Sequence, residues 1–307
     1  MEKKEKKIDP ANKLTHRFLR ELRKNKTEKE CDLLVEYAFA HISILMPSSH
    51  QLRIYQEKHR LYDRFLPHLA TFLPSGGLVI DVGANVGDTM AAMYCANPNL
   101  EFVCIEADHS FFEILEQNIN RIRINDANVS VTPIKALVGK SVKNVYLEGT
   151  GGTKRAVVNE GGTAALSSRP LDRILEVDTG RTIVLLKCDV DGYDYDVIDS
   201  GQELIEEHCP VLFFECDFDK DAQKIAYEKT IDQLIKNGYD HWVIFDNFGE
   251  VVLRTNSLSD IVQLFDYVWR QNMKRTTRTI YYFDLLATGK KYRNMVDQCI
   301  RDYITNV

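Results

Sequence analysis

Glycine and acidic residues stand together in one short stretch of the chain, at residues 79–89, which read V-I-D-V-G-A-N-V-G-D-T. Gly83 and Gly87 would let the backbone turn tightly and approach a ligand closely. The spacing differs from the G-x-G-x-x-G of dinucleotide-binding turns. Asp88 falls where a helix should begin, and its carboxylate would repel a pyrophosphate but attract a positively charged ligand.

Carboxylates also lie at the ends of four of the other apolar segments that we expect to be strands, which makes five such strand ends in all. The carboxyl ends of parallel strands meet at one edge of a doubly wound sheet, where like charges repel each other unless a cation is present. S-adenosylmethionine, with its sulfonium and ammonium groups, fits such an edge, and Glu106 is placed to accept hydrogen bonds from both of its ribose hydroxyls. The acids at these predicted strand ends are Asp81, Glu106, Asp108, Asp189, Asp191, Glu215, Asp217 and Asp246.

The elements that must position these acids are short runs rich in Val, Ile and Phe, most of them separated by helical patterns. Near-continuous apolar strands alternating with helices predict an α/β fold with a doubly wound, mostly parallel sheet covered on both faces. The predicted strands lie at residues 78–82, 102–105, 129–134, 183–188, 211–214 and 242–245, and a last run covers 279–287.

The segments on either side of this core have a different character. Residues 1–75 are expected to form a basic tail and a helical lead-in, with apolar stripes at helical spacing over 34–45 and 62–73. Residues 140–182 interrupt the alternation and predict an inserted hairpin. Their glycine pairs favour plain hairpin turns, the alternative being hinges of a lid. Residues 288–307 predict a C-terminal helix.

The sequence resembles the FkbM family of class I S-adenosylmethionine-dependent methyltransferases. The residues that carry the resemblance are 79–89, 102–108 (F-V-C-I-E-A-D), 185–194 (L-L-K-C-D-V-D-G-Y-D), 210–217 (P-V-L-F-F-E-C-D) and 281–287 (Y-Y-F-D-L-L-A). The resemblance implies a Rossmann-like methyltransferase domain over 76–287, with a seven-stranded sheet whose last strand is reversed. It also implies methyl transfer to an oxygen, most often a sugar hydroxyl of a glycan, or to a small molecule.

Within this family pattern the chain departs at Asp191, where Glu is commoner, and at Tyr193-Asp194, where Ala-Glu is usual. These changes shorten one acidic side chain and add bulk beside the site, which affects the acceptor more than the cofactor. The residues expected to contact the cofactor are Asp81, Gly83, Ala84, Asn85, Gly87, Thr89, Glu106, Ala107, Ala136 and Asp189.

A hydroxyl acceptor needs a base or a metal ion to assist its deprotonation. Asp189 is the first candidate for the base, Glu215 the second and Asp191 the third. Asp189 could instead only orient the cofactor. No metal site is predicted, although Asp189 with Glu215 or Asp217 would suit Mg²⁺ in an alternative mechanism.

Charge and composition limit the partners and the location. The net charge of −6 combines an excess of +5 in residues 1–30 with −11 in the rest, so a nucleic-acid surface is not expected. No apolar segment is long enough to span a membrane, and the first residues lack a signal-peptide pattern, which predicts a cytoplasmic protein. A weak contact of the basic N-terminal segment with a membrane surface is an alternative to a solvated tail. A methyltransferase acting on protein or RNA, and a non-catalytic cofactor-binding module, are the competing functions.

Overall fold

In the computed structural model, an eight-stranded sheet forms the centre of the protein. The structure describes residues 33–140, 145–148, 155–158, 167–175, 180–274 and 279–306. The strands are β1 (Leu34–Phe39), β2 (Ile42–Pro47), β3 (Leu78–Val82), β4 (Glu101–Glu106), β5 (Ser130–Lys135), β6 (Val145–Glu148), β7 (Arg155–Val158), β8 (Ile183–Cys188), β9 (Val211–Cys216), β10 (His241–Asp246), β11 (Val251–Thr255) and β12 (Phe283–Thr288). The helices are α1 (Leu52–Lys58), α2 (Phe65–Ala70), α3 (Asp88–Ala96), α4 (His109–Asn125), α5 (Leu171–Ile174), α6 (Asp194–Asp199), α7 (Gln202–His208), α8 (Asp221–Lys236), α9 (Leu258–Lys274) and α10 (Arg293–Asn306).

The order of the strands across the sheet is β11-β10-β12-β9-β8-β3-β4-β5. Strands β5, β4, β3, β8 and β9 pair in parallel, and β12 runs antiparallel to both β9 and β10. The α/β fold with a reversed last strand is therefore confirmed. The predicted seven strands are joined by an eighth, β11, which pairs with β10 at the edge. Its side chains are alternately half-buried and exposed, so it has no continuous apolar run to predict it.

Apolar side chains cover both faces of the sheet, because its central strands are buried on both sides. All five residues of β3 and all six of β8 are buried. One face packs against the β1–β2 hairpin and helices α2, α3, α4 and α10. The other face packs against helices α5 to α9.

The helix expected over residues 34–45 is wrong, because this segment forms the antiparallel β1–β2 hairpin. Its apolar residues fit a helical stripe by spacing, but Ile42, Ile44 and Met46 also alternate with period two and are the buried side of β2. Ala40, in the left-handed region at φ 44°, makes the turn between the strands. The helical pattern over 62–73 is confirmed in part by α2, and α1 was not predicted.

Within residues 140–182, where an inserted hairpin is predicted, β6 pairs antiparallel with β7. The glycine pairs at 151–152 and 161–162 lie outside the described residues, as does the basic segment 1–32. The predicted C-terminal helix is α10, whose Val296, Cys299 and Ile300 are buried. In the described part of the chain, no helix has the length and apolar character needed to cross a membrane.

One buried amide joins the hairpin to the turn that follows β3. The Asn118 side chain accepts a hydrogen bond from the Leu45 N–H at 2.7 Å and donates to the Leu45 carbonyl at 2.9 Å. It also donates to the Val86 carbonyl at 2.8 Å. Since Asn118 is fully buried, water cannot replace it in any of these contacts.

We predict that Asn118→Ala lowers the free energy of unfolding by about 2 kcal/mol or more, because it leaves buried backbone groups without partners. The measurement is equilibrium denaturation. Asn120→Ala, at an exposed position of the same helix, is the matched control and should change stability by less than about 0.5 kcal/mol. Equal losses in the two variants would show that the bridge is not important for stability.

Candidate functional site

The turn between β3 and α3 brings four of the predicted cofactor residues together. Gly83 and Gly87 both have positive φ angles, 76° and 86°, and Asn85 is left-handed at 49°. The N–H groups of Gly83 and Ala84 both donate to the Ile105 carbonyl, at 2.9 and 3.1 Å. A side chain at position 83 would collide with the backbone, because its Cβ would lie 1.9 Å from the Asp189 carbonyl oxygen. The turn therefore requires glycine at position 83.

Glu106, at the end of β4, is held in one orientation by two backbone groups. Its Oε2 accepts from the Asn85 N–H at 2.8 Å, and its Oε1 accepts from the Asp108 N–H at 2.7 Å. Burial raises the pKa of Glu106, and these two hydrogen bonds act in the opposite direction. Each carboxylate oxygen keeps a second lone pair, so the group can accept further hydrogen bonds from a ligand.

Three more of the predicted cofactor residues lie beside this turn. Ala107 follows Glu106 and is half-buried, and the Ala136 N–H donates to the Glu106 carbonyl at 3.1 Å. Thr89 is half-buried in the first turn of α3. The structure thus gathers the residues predicted for the cofactor at the carboxyl ends of β3, β4 and β5.

Asp81 lies beneath the turn, where it forms an ion pair with Lys187 of β8. The Lys187 Nζ is 2.9 Å from Asp81 Oδ1 and 3.8 Å from Asp189 Oδ2, and it donates to the Gly83 carbonyl at 3.0 Å. Burial alone would lower the pKa of Lys187, but the carboxylates of Asp81 and Asp189 raise it, so the ammonium stays charged. Sequence reasoning missed Lys187, although a lysine inside an otherwise apolar strand is the signal that marks it.

Carboxylates from three adjacent strands form a row at the same edge of the sheet. Asp284 of β12 is directly opposite Glu215 of β9 in the antiparallel register. Cys188 pairs with Phe214, so Asp189 follows β8 at the level of Glu215. We call Asp189, Glu215 and Asp284 the carboxylate row. Asp284 was not among the predicted site residues, because only the pairing of β12 with β9 brings it here.

Two members of the carboxylate row, the buried Glu215 and the half-buried Asp284, have strongly altered acidity. Burial, followed by the charge of Asp189, raises the pKa of both Glu215 and Asp284 well above their usual ranges. Among the described residues, neither side chain has a hydrogen bond or an ion pair with another group. Glu215 is only 9% exposed, whereas the Asp189 side chain is 52% exposed. Opposed carboxylates this close favour a shared proton over two charges.

The remaining predicted acids are placed differently from the row. Asp191 is half-buried and left-handed at φ 53° in the turn after β8. Asp194 is fully buried, accepts from the Tyr227 hydroxyl at 3.3 Å, and has its pKa raised to about 7, chiefly by burial. Asp246 accepts from the N–H groups of Phe248 and Glu250, so it shapes the β10–β11 turn.

The structure shows no preformed metal site in the part of the chain that it describes. There, no three His, Cys, Asp or Glu side chains come close enough together to hold an ion.

Replacing Lys187 tests the ion pair under the turn. We predict that Lys187→Met lowers the free energy of unfolding by about 3–5 kcal/mol, because Asp81 would keep a buried charge without its cation. Changing both residues, as Lys187→Met with Asp81→Leu, should recover part of the loss. Denaturant titration measures the stability of both variants. A Lys187→Met variant as stable as the native chain would contradict the buried ion pair.

The raised pKa of Asp194 predicts that the stability of the protein depends on pH. Its pKa is raised in the folded state, so folding takes up a proton between the ordinary value of 3.8 and about 7. Stability from this group is therefore present at low pH and is lost as the pH rises through that window. Asp194→Asn should make the decline shallower when the free energy of unfolding is measured across this range. An unchanged slope would count against the assignment.

Comparison with known proteins gives the family. A model described as the methyltransferase FkbM domain matches residues 81–241, just over half of the chain. A comparison with curated proteins found no match. Solved structures with a similar fold include the FkbM methyltransferase of Methylobacillus flagellatus KT, with 14% identity and a TM-score of 0.37. The alignment covers 69% of this chain but only 43% of that one.

Two other methyltransferases have a comparable likeness. The precorrin-6y C5,15-methyltransferase of Geobacter metallireducens GS-15 is 11% identical, with 73% of this chain and 86% of that chain covered and a TM-score of 0.38. The plantazolicin methyltransferase BpumL is 9% identical, and the alignment covers 78% of this chain and 88% of that chain with a TM-score of 0.38. Such values carry no information on the acceptor. The family model does decide the class of enzyme, and this chain belongs to the FkbM methyltransferase family.

Proposed function

We propose that the protein uses S-adenosylmethionine to methylate a hydroxyl group of a sugar, a glycan or another small molecule. Family membership supplies the reaction class. The observation that carries the rest is the carboxylate row beside the glycine turn, since the buried Glu215 lies opposite the half-buried Asp284 and both have raised pKa values. A hydroxyl needs a base of this kind, because it is a poor nucleophile while it keeps its proton.

The residues present fit S-adenosylmethionine chemically. Glu106 is oriented by two backbone N–H groups and can accept hydrogen bonds from ribose hydroxyls. The carboxylate row lacks a free cation among its described neighbours, because Lys187 is bonded to Asp81 and to the Gly83 carbonyl. When bound, the cofactor would supply positive charge and an activated methyl group. We also propose that the cofactor contacts the other residues predicted for it, namely Gly83, Ala84, Asn85, Gly87, Thr89, Ala107 and Ala136.

Glu215 acts as the base in this mechanism, and Asp284 shares its proton. A raised pKa makes a carboxylate a stronger proton acceptor, which suits a hydroxyl better than an ordinary aspartate would. This pair would take the proton of the acceptor hydroxyl, whose oxygen would then receive the methyl group that the bound cofactor supplies. Asp189, which is more exposed, orients the acceptor or the cofactor. Asp191 shapes the adjoining turn. Much of the rate would come from holding the two reactants in line.

Two functions compete with this proposal. One is methylation of protein or RNA, and the other is a non-catalytic module that binds the cofactor. The negative charge of the carboxylate row would repel a phosphate backbone, which disfavours RNA. We also propose that the protein is cytoplasmic and that its basic N-terminal segment makes, at most, a weak contact with a membrane surface. Mg²⁺ assistance through Asp189 is the alternative to a carboxylate base.

A methyl-transfer screen with labelled S-adenosylmethionine tests the function, using nucleotide sugars, glycans, a protein extract and RNA as separate acceptor sets. We expect transfer to a hydroxyl-bearing sugar or small molecule. Transfer confined to protein or RNA would contradict the acceptor assignment. Cofactor binding without transfer to any acceptor set would favour the non-catalytic module, and absence of cofactor binding would contradict the proposed function altogether.

The base is tested on the acceptor that the screen identifies. We predict that Glu215→Gln lowers kcat by about 10²–10⁴-fold, because it removes the proton acceptor. Asp284→Asn should lower kcat less and shift the pH profile, since Glu215 would lose one of the charges that raise its pKa. In the native chain kcat should rise with pH as the pair loses its shared proton. Glu116→Gln, on the exposed side of α4, is the control and should leave the rate unchanged.

A further inference from the structure

Helix α8 carries a buried polar stripe that faces the segment after β8. The members of this stripe are Gln223, Tyr227 and Thr230, and all three are buried. Their spacing of four and then three residues places them on one face of the helix. Each donates a hydrogen bond into the segment between the end of β8 and the end of α6. The stripe therefore binds α8 to the residues that follow β8.

Gln223 joins two loops at the carboxyl edge of the sheet. Its Nε2 donates to the Gly192 carbonyl, in the loop after β8, at 3.0 Å. Its Oε1 accepts from the N–H groups of Asp219 and Lys220, in the loop after β9, at 3.3 and 3.2 Å. A single buried amide thus holds the two loops that leave β8 and β9 at a fixed distance from each other.

The loop after β8 has a strained backbone that is fixed at both ends. Asp191 and Gly192 have successive positive φ angles, 53° and 90°. Non-glycine residues seldom adopt this region, and they stay in it only where surrounding contacts hold them. At the start of the loop the Asp189 N–H donates to the Val82 carbonyl at 3.0 Å. At its end the Gln223 amide holds Gly192, so the loop keeps a conformation that Asp191 disfavours.

Asp189 takes its position from this loop. Its carbonyl oxygen packs against Gly83 of the glycine turn, where a Cβ would lie only 1.9 Å away. Its carboxylate is 3.8 Å from the Lys187 ammonium, and it follows β8 at the level of Glu215. Asp189 therefore stands between the glycine turn and the proposed base. A shift of the loop would change both distances and leave the ion pair of Lys187 with Asp81 in place.

We propose that Gln223 is a positioning residue for methyl transfer, because it holds the loop that keeps Asp189 between the glycine turn and Glu215. The proposal rests on the proposed function, in which Asp189 orients the acceptor or the cofactor. Gln223 is buried and acts through the backbone of residues 189–192. Displacement of a reacting group by about 1 Å can slow an aligned reaction by about 100-fold, so a loop contact can affect the rate.

Gln223→Met tests this role, because it removes the amide and keeps the approximate size of the side chain. We expect kcat on the acceptor identified by the screen to fall by roughly 10–100-fold. The Kd for S-adenosylhomocysteine, measured by titration calorimetry, should stay within about twofold, because the glycine turn keeps its own contacts. An unchanged kcat, or an equal loss of cofactor affinity, would overturn the proposal.

A second variant serves if Gln223→Met does not fold. Gln223→Glu keeps the acceptor for the Asp219 and Lys220 N–H groups, but at alkaline pH its ionised carboxylate has no proton for the Gly192 carbonyl. We expect the same fall in kcat there, and a native rate at alkaline pH would count against the contact with Gly192.

A double variant shows whether Gln223 acts through Asp189. If it does, Asp189→Asn with Gln223→Met should be about as slow as Asp189→Asn alone, since the loop would then have no carboxylate to position. Losses that multiply, or a normal rate in Asp189→Asn, would refute this link.

Thr230→Val is the matched control in the same helix. It removes the hydrogen bond of Thr230 to Asp199, at the far end of α6, and should leave kcat unchanged. A fall equal to that of Gln223→Met would show that the packing of α8 in general is responsible. If the native chain transfers no methyl group to any acceptor, the proposed function fails first, and the role of Gln223 fails with it.

Discussion

Lys187 is the residue on which the arrangement of the site depends. Its ammonium lies inside the sheet and contacts Asp81 of β3, the Gly83 carbonyl in the glycine turn and, more distantly, Asp189 at the end of its own strand. A buried ammonium is stable only when such partners surround it, and a buried carboxylate such as Asp81 needs the ammonium in return. The ion pair thus fixes the level at which two neighbouring strands end, and with it the position of the turn.

The same edge of the sheet collects more negative charge than Lys187 can neutralise. Glu215 and Asp284 are brought opposite each other by the antiparallel pairing of β12 with β9, and Asp189 follows β8 at the same level. Burial and the charge of Asp189 raise the pKa values of Glu215 and Asp284. A structure that keeps such repulsion loses stability, so the arrangement is typical of a site built for a ligand.

The parts of the site that lie within one motif were predictable. Gly83, Asn85 and Gly87 occupy one turn, and Glu106 ends the next strand, so spacing along the chain was enough to associate them. Asp284 was not predicted because it lies far from that motif in sequence and reaches the site only through the pairing of β12 with β9. Segment 34–45 was misread because its apolar residues satisfy both a helical and a strand period, and only burial against α4 decided between them.

The sequence by itself determined seven of the eight strands of the central sheet, the glycine turn, the family and the acidic character of the strand ends, since these follow from local composition and spacing. Tertiary structure decided which acids meet, which of them is neutralised by Lys187 and which remain without a partner. Charge interactions act through space and depend on burial, so a carboxylate's role is settled by its neighbours in the fold. Asp81 and Glu215 both end apolar strands in the sequence, yet Asp81 pairs with the ammonium of Lys187, whereas Glu215 lies opposite a second carboxylate, Asp284.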